Sequence, residues 1–111
     1  MRRAPTPAEA DAVGRALTER FLDPARWGIQ APPEGRWDES TRSILITSYL
    51  GHALEPPWAL RLSDRTALGL PWRQRRWWQR DLQDLDRVTL EMTWIANEEF
   101  AVDDRLAVVV V

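Results

Sequence analysis

The first apolar pattern along the chain predicts a helix over residues 6–23. Apolar side chains recur there at helical spacing, at Ala10, Val13, Leu17 and Phe21. Thr6-Pro7-Ala8-Glu9 is a typical helix start, in which Thr6 caps the first turn and Glu9 completes a capping box. The helix ends at Asp23 because the residue before a proline avoids the α region.

Residues 24–38 contain three prolines and two glycines, so the sequence predicts a loop. Its large apolar residues are Trp27, Ile29 and Trp37. We expect these three side chains to pin the loop to the core.

The apolar residues between 40 and 54 permit two interpretations. A helix capped by Asp38 or Ser40 would place Leu45, Tyr49 and Leu54 on one wide face, and this interpretation is favoured. The alternative is a strand through 44–47, which the β-branched residues in this stretch favour. In either case we expect Glu55-Pro56-Pro57 to close the element.

The next stretch predicts three short elements. Trp58, Leu60 and Leu62 alternate with smaller or charged residues, which indicates a strand. Ser63 is a candidate cap for a short helix to about Leu68. Gly69-Leu70-Pro71 then predicts a turn, because glycine ends a helix well and proline starts the next one.

The C-terminal part predicts an antiparallel hairpin. Apolar and polar residues alternate strictly over 88–94, which is typical of a strand. Residues 105–111 read as the returning strand. The apolar edge Val108–Val111 would need cover, and this predicts a homodimer.

Between the turn and the hairpin, residues 72–86 predict a basic amphipathic helix. A helical wheel places Trp78, Leu82 and Leu85 on one side. Three arginines project outward at i, i+3 and i+7, namely Arg73, Arg76 and Arg80. Its arginines lie at the N-terminal end and its aspartates at the C-terminal end, which opposes the helix dipole. An external anion bound by the arginines would explain this arrangement.

Composition sharpens the charge pattern. All 15 basic residues are arginine, and the net charge of −2 hides a strong polarity along the chain. Residues 61–80 carry six arginines and one aspartate, whereas residues 81–104 carry eight acids and one arginine. The basic block is therefore the feature that a functional hypothesis must explain.

One stretch contains the predicted short helix, the turn and most of the basic helix, and it reads Leu62-Ser-Asp-Arg-Thr-Ala-Leu-Gly-Leu-Pro-Trp-Arg-Gln-Arg-Arg-Trp-Trp-Gln-Arg-Asp-Leu82. Together with the predicted hairpin that follows, it resembles the winged helix-turn-helix family over about Ser40–Val111. The resemblance implies an α+β fold, with an N-terminal helix and Pro-rich loop (1–39) joined to a winged-helix domain (40–111) in one compact unit. It also implies that six residues of the recognition helix face the major groove of DNA: Trp72, Arg73, Arg76, Gln79, Arg80 and Gln83.

The resemblance implies a small regulator of transcription that binds double-stranded DNA. The acidic loop of the predicted hairpin, with Glu98, Glu99, Asp103 and Asp104, would repel phosphates, so the recognition helix would supply most of the affinity. The alternative is a protein-interaction module whose arginine face docks on an acidic partner.

Catalytic chemistry has little support. The chain has no cysteine and a single histidine, His52, so we expect neither an enzyme nor a cofactor. The acidic residues near 98–104 do not have calcium-loop spacing, so we expect no metal site. Seven tryptophans allow an aromatic cage for a cationic ligand, but core packing explains most of them.

The location is predicted from absences in the sequence. No apolar run approaches 18 residues, so we expect no membrane span. Met1-Arg2-Arg3 is not followed by an apolar segment, so we expect no secretory signal. With no cysteine in the chain, the expected location is the cytoplasm.

Overall fold

The computed structural model describes residues 6–64, 83–100 and 106–111, and it has an α+β fold. In chain order the elements are α1 (Pro7–Phe21), α2 (Pro24–Trp27), β1 (Glu34–Asp38), β2 (Ser43–Tyr49), β3 (His52–Asp64), α3 (Asp84–Phe100) and β4 (Leu106–Val110). None of the helices described is long and apolar enough to cross a bilayer.

The four strands form one antiparallel sheet in the order β1-β2-β3-β4. The register places Trp37, Ile44 and Leu60 side by side, so their side chains share one face. The helices α1 and α3 pack against the sheet and against each other. The core between them contains Leu17, Phe21, Ile44, Ile46, Leu60, Val88, Met92, Ile95, Ala96 and Val108.

The N-terminal helix is confirmed. The Glu9 backbone N–H donates to Thr6 Oγ1 over 3.2 Å, as a capping residue requires. The predicted loop contains α2 and β1, and the Asp23 side chain caps α2 by accepting the Ala25 N–H. Trp27 and Trp37 do pack against the core, whereas Ile29 is fully exposed and the prediction for it was wrong.

The favoured helix over 40–54 was wrong, and the alternative strand is found. Ile44 and Ile46 are completely buried at a spacing of two and pair with β3, so burial on the sheet outweighs the helical spacing. Glu55-Pro56-Pro57 lies inside β3 instead of closing an element. The β2–β3 register shifts there, which accommodates prolines that have no N–H to donate.

The predicted strand over 88–94 was also wrong, because these residues lie in α3. Its buried residues include Val88, Met92 and Ile95, at spacings of four and three, as one helix face requires. Trp94, which the alternation assigned to the buried face, is half-exposed. The same stretch of sequence thus fits both a two-residue alternation and a helical period, and the chain adopts the helix. The predicted hairpin is therefore replaced by a helix and β4.

The boundary of the predicted basic helix also changes. Gln83 is not helical, and Asp84 and Asp86 occupy the first turn of α3. Carboxylates at that end are stabilised by the helix dipole, so the predicted conflict at this end does not exist. Ser63 belongs to β3 and caps no helix. The remaining predictions for 65–82 lie outside the described residues.

The returning strand is confirmed as β4, but it pairs with β3. The Val111 N–H donates to the Ala59 carbonyl, so the N–H groups of Val108 and Val110 point to the other side of β4. Thr93 Oγ1 of α3 accepts the Val108 N–H over 2.9 Å and donates to the Thr89 carbonyl over 2.7 Å. The helix therefore covers this edge at Val108, which weakens the argument for a homodimer from a free edge.

Substituting Gly14 by alanine tests how closely α1 approaches the sheet. A Cβ at this position would lie 2.5 Å from Trp37 Cζ3. We expect a loss of about 1–3 kcal/mol from overpacking, partly offset by roughly 1 kcal/mol of helix propensity. Urea denaturation measures the loss, and the variant Trp37→Leu should absorb most of it. An equal loss in both backgrounds would contradict the contact.

Replacing Thr93 by valine tests the bond to β4. The variant keeps the side-chain volume but leaves the buried Val108 N–H without an acceptor, so we expect a loss of about 1–3 kcal/mol in the free energy of unfolding. Thr93→Ser retains the hydroxyl and serves as the control in the same denaturation series. If serine proves as costly as valine, the hydroxyl is not the stabilising group.

Candidate functional site

The residues predicted to contact DNA fall mostly outside the described structure. Trp72, Arg73, Arg76, Gln79 and Arg80 lie in the interval 65–82. Gln83 is exposed, and its carbonyl accepts the Arg87 N–H over 3.0 Å at the start of α3. The basic segment thus joins the end of β3 to the first turn of α3.

The described arginines act mainly within the fold. At least five of the seven in residues 6–64, 83–100 and 106–111 form ion pairs with carboxylates at 2.7–3.4 Å: Arg15, Arg20, Arg26, Arg36 and Arg42. The same residues include 14 carboxylates, so the described body carries an excess of seven negative charges. This body therefore offers little attraction to a polyanion.

A cavity of about 640 Å³ lies between α2, the turn after β2 and the first half of α3. We call it the α2–α3 groove. Its walls combine two aromatic rings with charged and polar side chains, and the lining residues are Arg26, Trp27, Gln30, Tyr49, Leu50, Asp84, Arg87 and Glu91. A concave site with convergent polar groups is the usual form of a ligand site.

The aromatic wall of the groove is held from behind. Trp27 Nε1 donates to the Phe21 carbonyl over 2.8 Å, which fixes the indole. The Trp27 ring meets Phe21 at 5.3 Å and Tyr49 at 6.0 Å between centroids, both edge to face. Tyr49 in turn lies 5.4 Å from Trp58. The two rings that line the groove are therefore parts of one packed aromatic row.

The cationic wall is also fixed. Arg26 Nη2 lies 2.7 Å from Glu99 Oε1, and Arg26 Nε donates to the Arg20 carbonyl over 3.2 Å. Glu99 also pairs with Arg20 at 3.0 Å. Because its guanidinium has these partners, Arg26 is held at the edge of the groove, and its charge is partly offset by the carboxylate that it shares with Arg20.

The third wall is one face of α3. Asp84, Arg87 and Glu91 lie at i, i+3 and i+7, so they project toward the groove from successive turns. Glu91 is partly buried, and no hydrogen bond or ion pair from another described residue reaches its carboxylate. The carboxylate of Glu91 is therefore less well solvated than an exposed one, and a donor that enters the groove would stabilise its charged form.

Burial also changes the pKa of two groups that line the groove, Glu91 and Tyr49. Burial raises the pKa of Glu91, and the positive charge of Arg26 only partly opposes this. Burial raises the pKa of Tyr49 as well, and the charges of Glu91 and Asp84 add to that increase. Both shifts show that these groups lie together in a poorly solvated place.

No group of three or more His, Asp or Glu side chains in the described ranges is arranged to hold a metal ion. No protein-family model, curated protein or solved structure matches the chain.

Sequence reasoning did not find the groove. Trp27 was interpreted only as a loop anchor, and Tyr49 as part of a helix face. Glu91 shares a face with Asp84 only when 84–100 is helical, so the strand prediction separated them. The available signal was the repeat of charged residues at 84, 87 and 91.

The pH dependence of stability tests the environment of Glu91. Because its folded pKa is raised, Glu91 favours the folded state below its unfolded pKa, and this contribution is lost as pH rises through the folded pKa. We expect Glu91→Gln to raise Tm by a few degrees at pH 7, with the gain shrinking as the medium becomes acidic. Thermal unfolding followed by circular dichroism across this range measures the difference.

Glu98→Gln is the matched control, since Glu98 is exposed on the same helix two turns beyond Glu91. An equal or larger gain in that variant would contradict the assignment of the effect to burial of Glu91.

Proposed function

We propose that this chain is a protein-interaction module whose arginine-rich segment binds an acidic surface on another protein. The observation that carries the proposal is the division of charge between the described body and the segment 65–82. The body has an excess of seven negative charges, whereas the segment has five arginines and one aspartate.

The ion pairs of the body support the same conclusion. Arg20 and Arg26 share Glu99, and Arg42 reaches Asp11 at 2.8 Å, so these cations are used to hold elements together. The cations left to attract a partner therefore belong mainly to the sequence 65–82. An arginine fork suits protein carboxylates because it can bind them in a bidentate manner.

Electrostatics favours a compact acidic patch over a nucleic acid. A duplex presents a long array of phosphates, and the acidic body would be repelled by the part of the array that extends past the segment. A local acidic patch on a protein avoids most of that repulsion. Within this proposal Arg73, Arg76 and Arg80 make the contact.

Double-stranded DNA binding is the second candidate, and the composition of the segment favours it. Arginine with glutamine and tryptophan, as in Trp72, Gln79 and Gln83, is a combination suited to phosphates and base edges. The winged-helix arrangement on which this candidate was first based would need another source for its wing, because residues 84–100 are helical.

A triple variant separates these candidates. Replacing Arg73, Arg76 and Arg80 by alanine should abolish binding of fluorescent poly-glutamate, measured by anisotropy at about 50 mM salt, without loss of folding. The matched control removes three arginines from exposed ion pairs, Arg15, Arg36 and Arg42, because ion pairs on the surface contribute little to stability.

The same titration with a short random duplex decides between partners. If duplex binds more tightly than poly-glutamate, with a steep salt dependence of about 0.9 in log–log slope per phosphate contact, the DNA candidate replaces the proposal. If neither probe binds, both candidates fail. A control variant as weak as the triple variant would mean that net charge alone governs binding.

A further inference from the structure

The α2–α3 groove has both carboxylates and aromatic rings among its described lining residues. Glu91 lies partly buried on its wall, burial raises its pKa, and the described residues supply no hydrogen bond to it. Asp84 lies two turns earlier on the same face of α3 and adds a second carboxylate. The rings of Trp27 and Tyr49, which are in contact with each other, also line the groove.

We propose that the α2–α3 groove binds an organic cation, a guanidinium or alkylammonium group, with Glu91 as its anionic partner and Trp27 and Tyr49 as its aromatic contacts. A cation over an indole or phenol ring is attracted by the negative face of the ring. A charge-assisted bond to Glu91 would supply the donor that this carboxylate lacks. The same two interactions recognise basic side chains and free organic amines.

The arginines of the groove do not reverse this preference. Arg26 lies 2.7 Å from Glu99, which it shares with Arg20, so its charge is partly offset, and its Nε donates to the Arg20 carbonyl. Arg87 also lines the groove on the same helix face as Asp84 and Glu91, so the described lining has as many carboxylates as arginines. An anion entering the groove would have to approach both carboxylates, and a cation gains from them.

The geometry also limits the size of the bound group. A cavity of about 640 Å³ holds a side chain or a small molecule, and the fixed Trp27 and Arg26 leave its walls little freedom. The inference is argued from described residues alone, and all of the described lining residues lie outside the arginine-rich segment.

The test uses the whole chain, ¹⁵N-labelled at tryptophan, and titrates it with argininamide. The indole resonance of Trp27, assigned with Trp27→Phe, should shift with half-saturation in the millimolar range, while most other indoles stay in place. Glu91→Gln should weaken binding about tenfold or more, as expected for the loss of a charge-assisted bond. Asp84→Asn should weaken it less.

Matched variants define the site. Glu98→Gln should bind argininamide as the wild type does, because Glu98 lies on α3 outside the groove. Tyr49→Phe should also bind, because the ring and not the hydroxyl makes the aromatic contact. The alanine variant of Arg73, Arg76 and Arg80 should retain binding, which keeps this test separate from that of the proposed function.

Two further probes identify the source of the cation. Tighter binding of the blocked peptide Gly-Arg-Gly than of argininamide would assign the groove to a side chain of a partner protein. Tighter binding of argininamide would assign it to a free small molecule. A Trp27 shift with acetate but not with argininamide would overturn the proposal, and so would the absence of any shift at tens of millimolar argininamide.

Discussion

The docking of α3 on the sheet is the constraint on which the rest of the structure depends. Val88, Met92 and Ile95 bury one face of this helix completely against the core. Thr93, on the flank of that face, accepts the Val108 N–H and so joins the helix to the edge of β4. Because the buried face is fixed, the neighbouring face is fixed as well, and it carries the charged residues that line the groove. Packing thus determines where the carboxylate of Glu91 lies, to which the described residues donate no hydrogen bond.

The division of charge has a structural origin. The body uses its arginines to tie distant parts of the chain together, as in the pairing of Arg26 in α2 with Glu99 near the end of α3. Carboxylates outnumber arginines two to one in the described residues, so the body is acidic even after these pairs form. The sequence 65–82 has the opposite sign. The acidic body and the basic sequence 65–82 can therefore be altered separately by substitution.

Some of this structure could be predicted from sequence. The capping signals at Thr6 and Asp23-Pro24 are local, and α1 forms between them as expected. The strand through Ile44 and the helix through Met92 depended on which face of each element is buried, and a single sequence does not contain that information. A two-residue alternation fits Val88, Leu90, Met92 and Trp94. A helical period fits Val88, Met92 and Ile95. The groove was hidden for the same reason, because its walls come from α2, β2 and α3 and meet only in the folded chain.

Hydrogen exchange at two neighbouring valines tests the docking of α3 most directly. The N–H groups of Val108 and Val110 point to the same side of β4, away from β3, and the structure gives Thr93 as the acceptor for Val108. If α3 is docked as described, the Val108 amide should exchange only in global unfolding, at a rate close to that of core amides such as Ile46, and far more slowly than the half-exposed Val110. Equally fast exchange of Val108 and Val110 would contradict the docking of α3, and with it the placement of Glu91 in the groove.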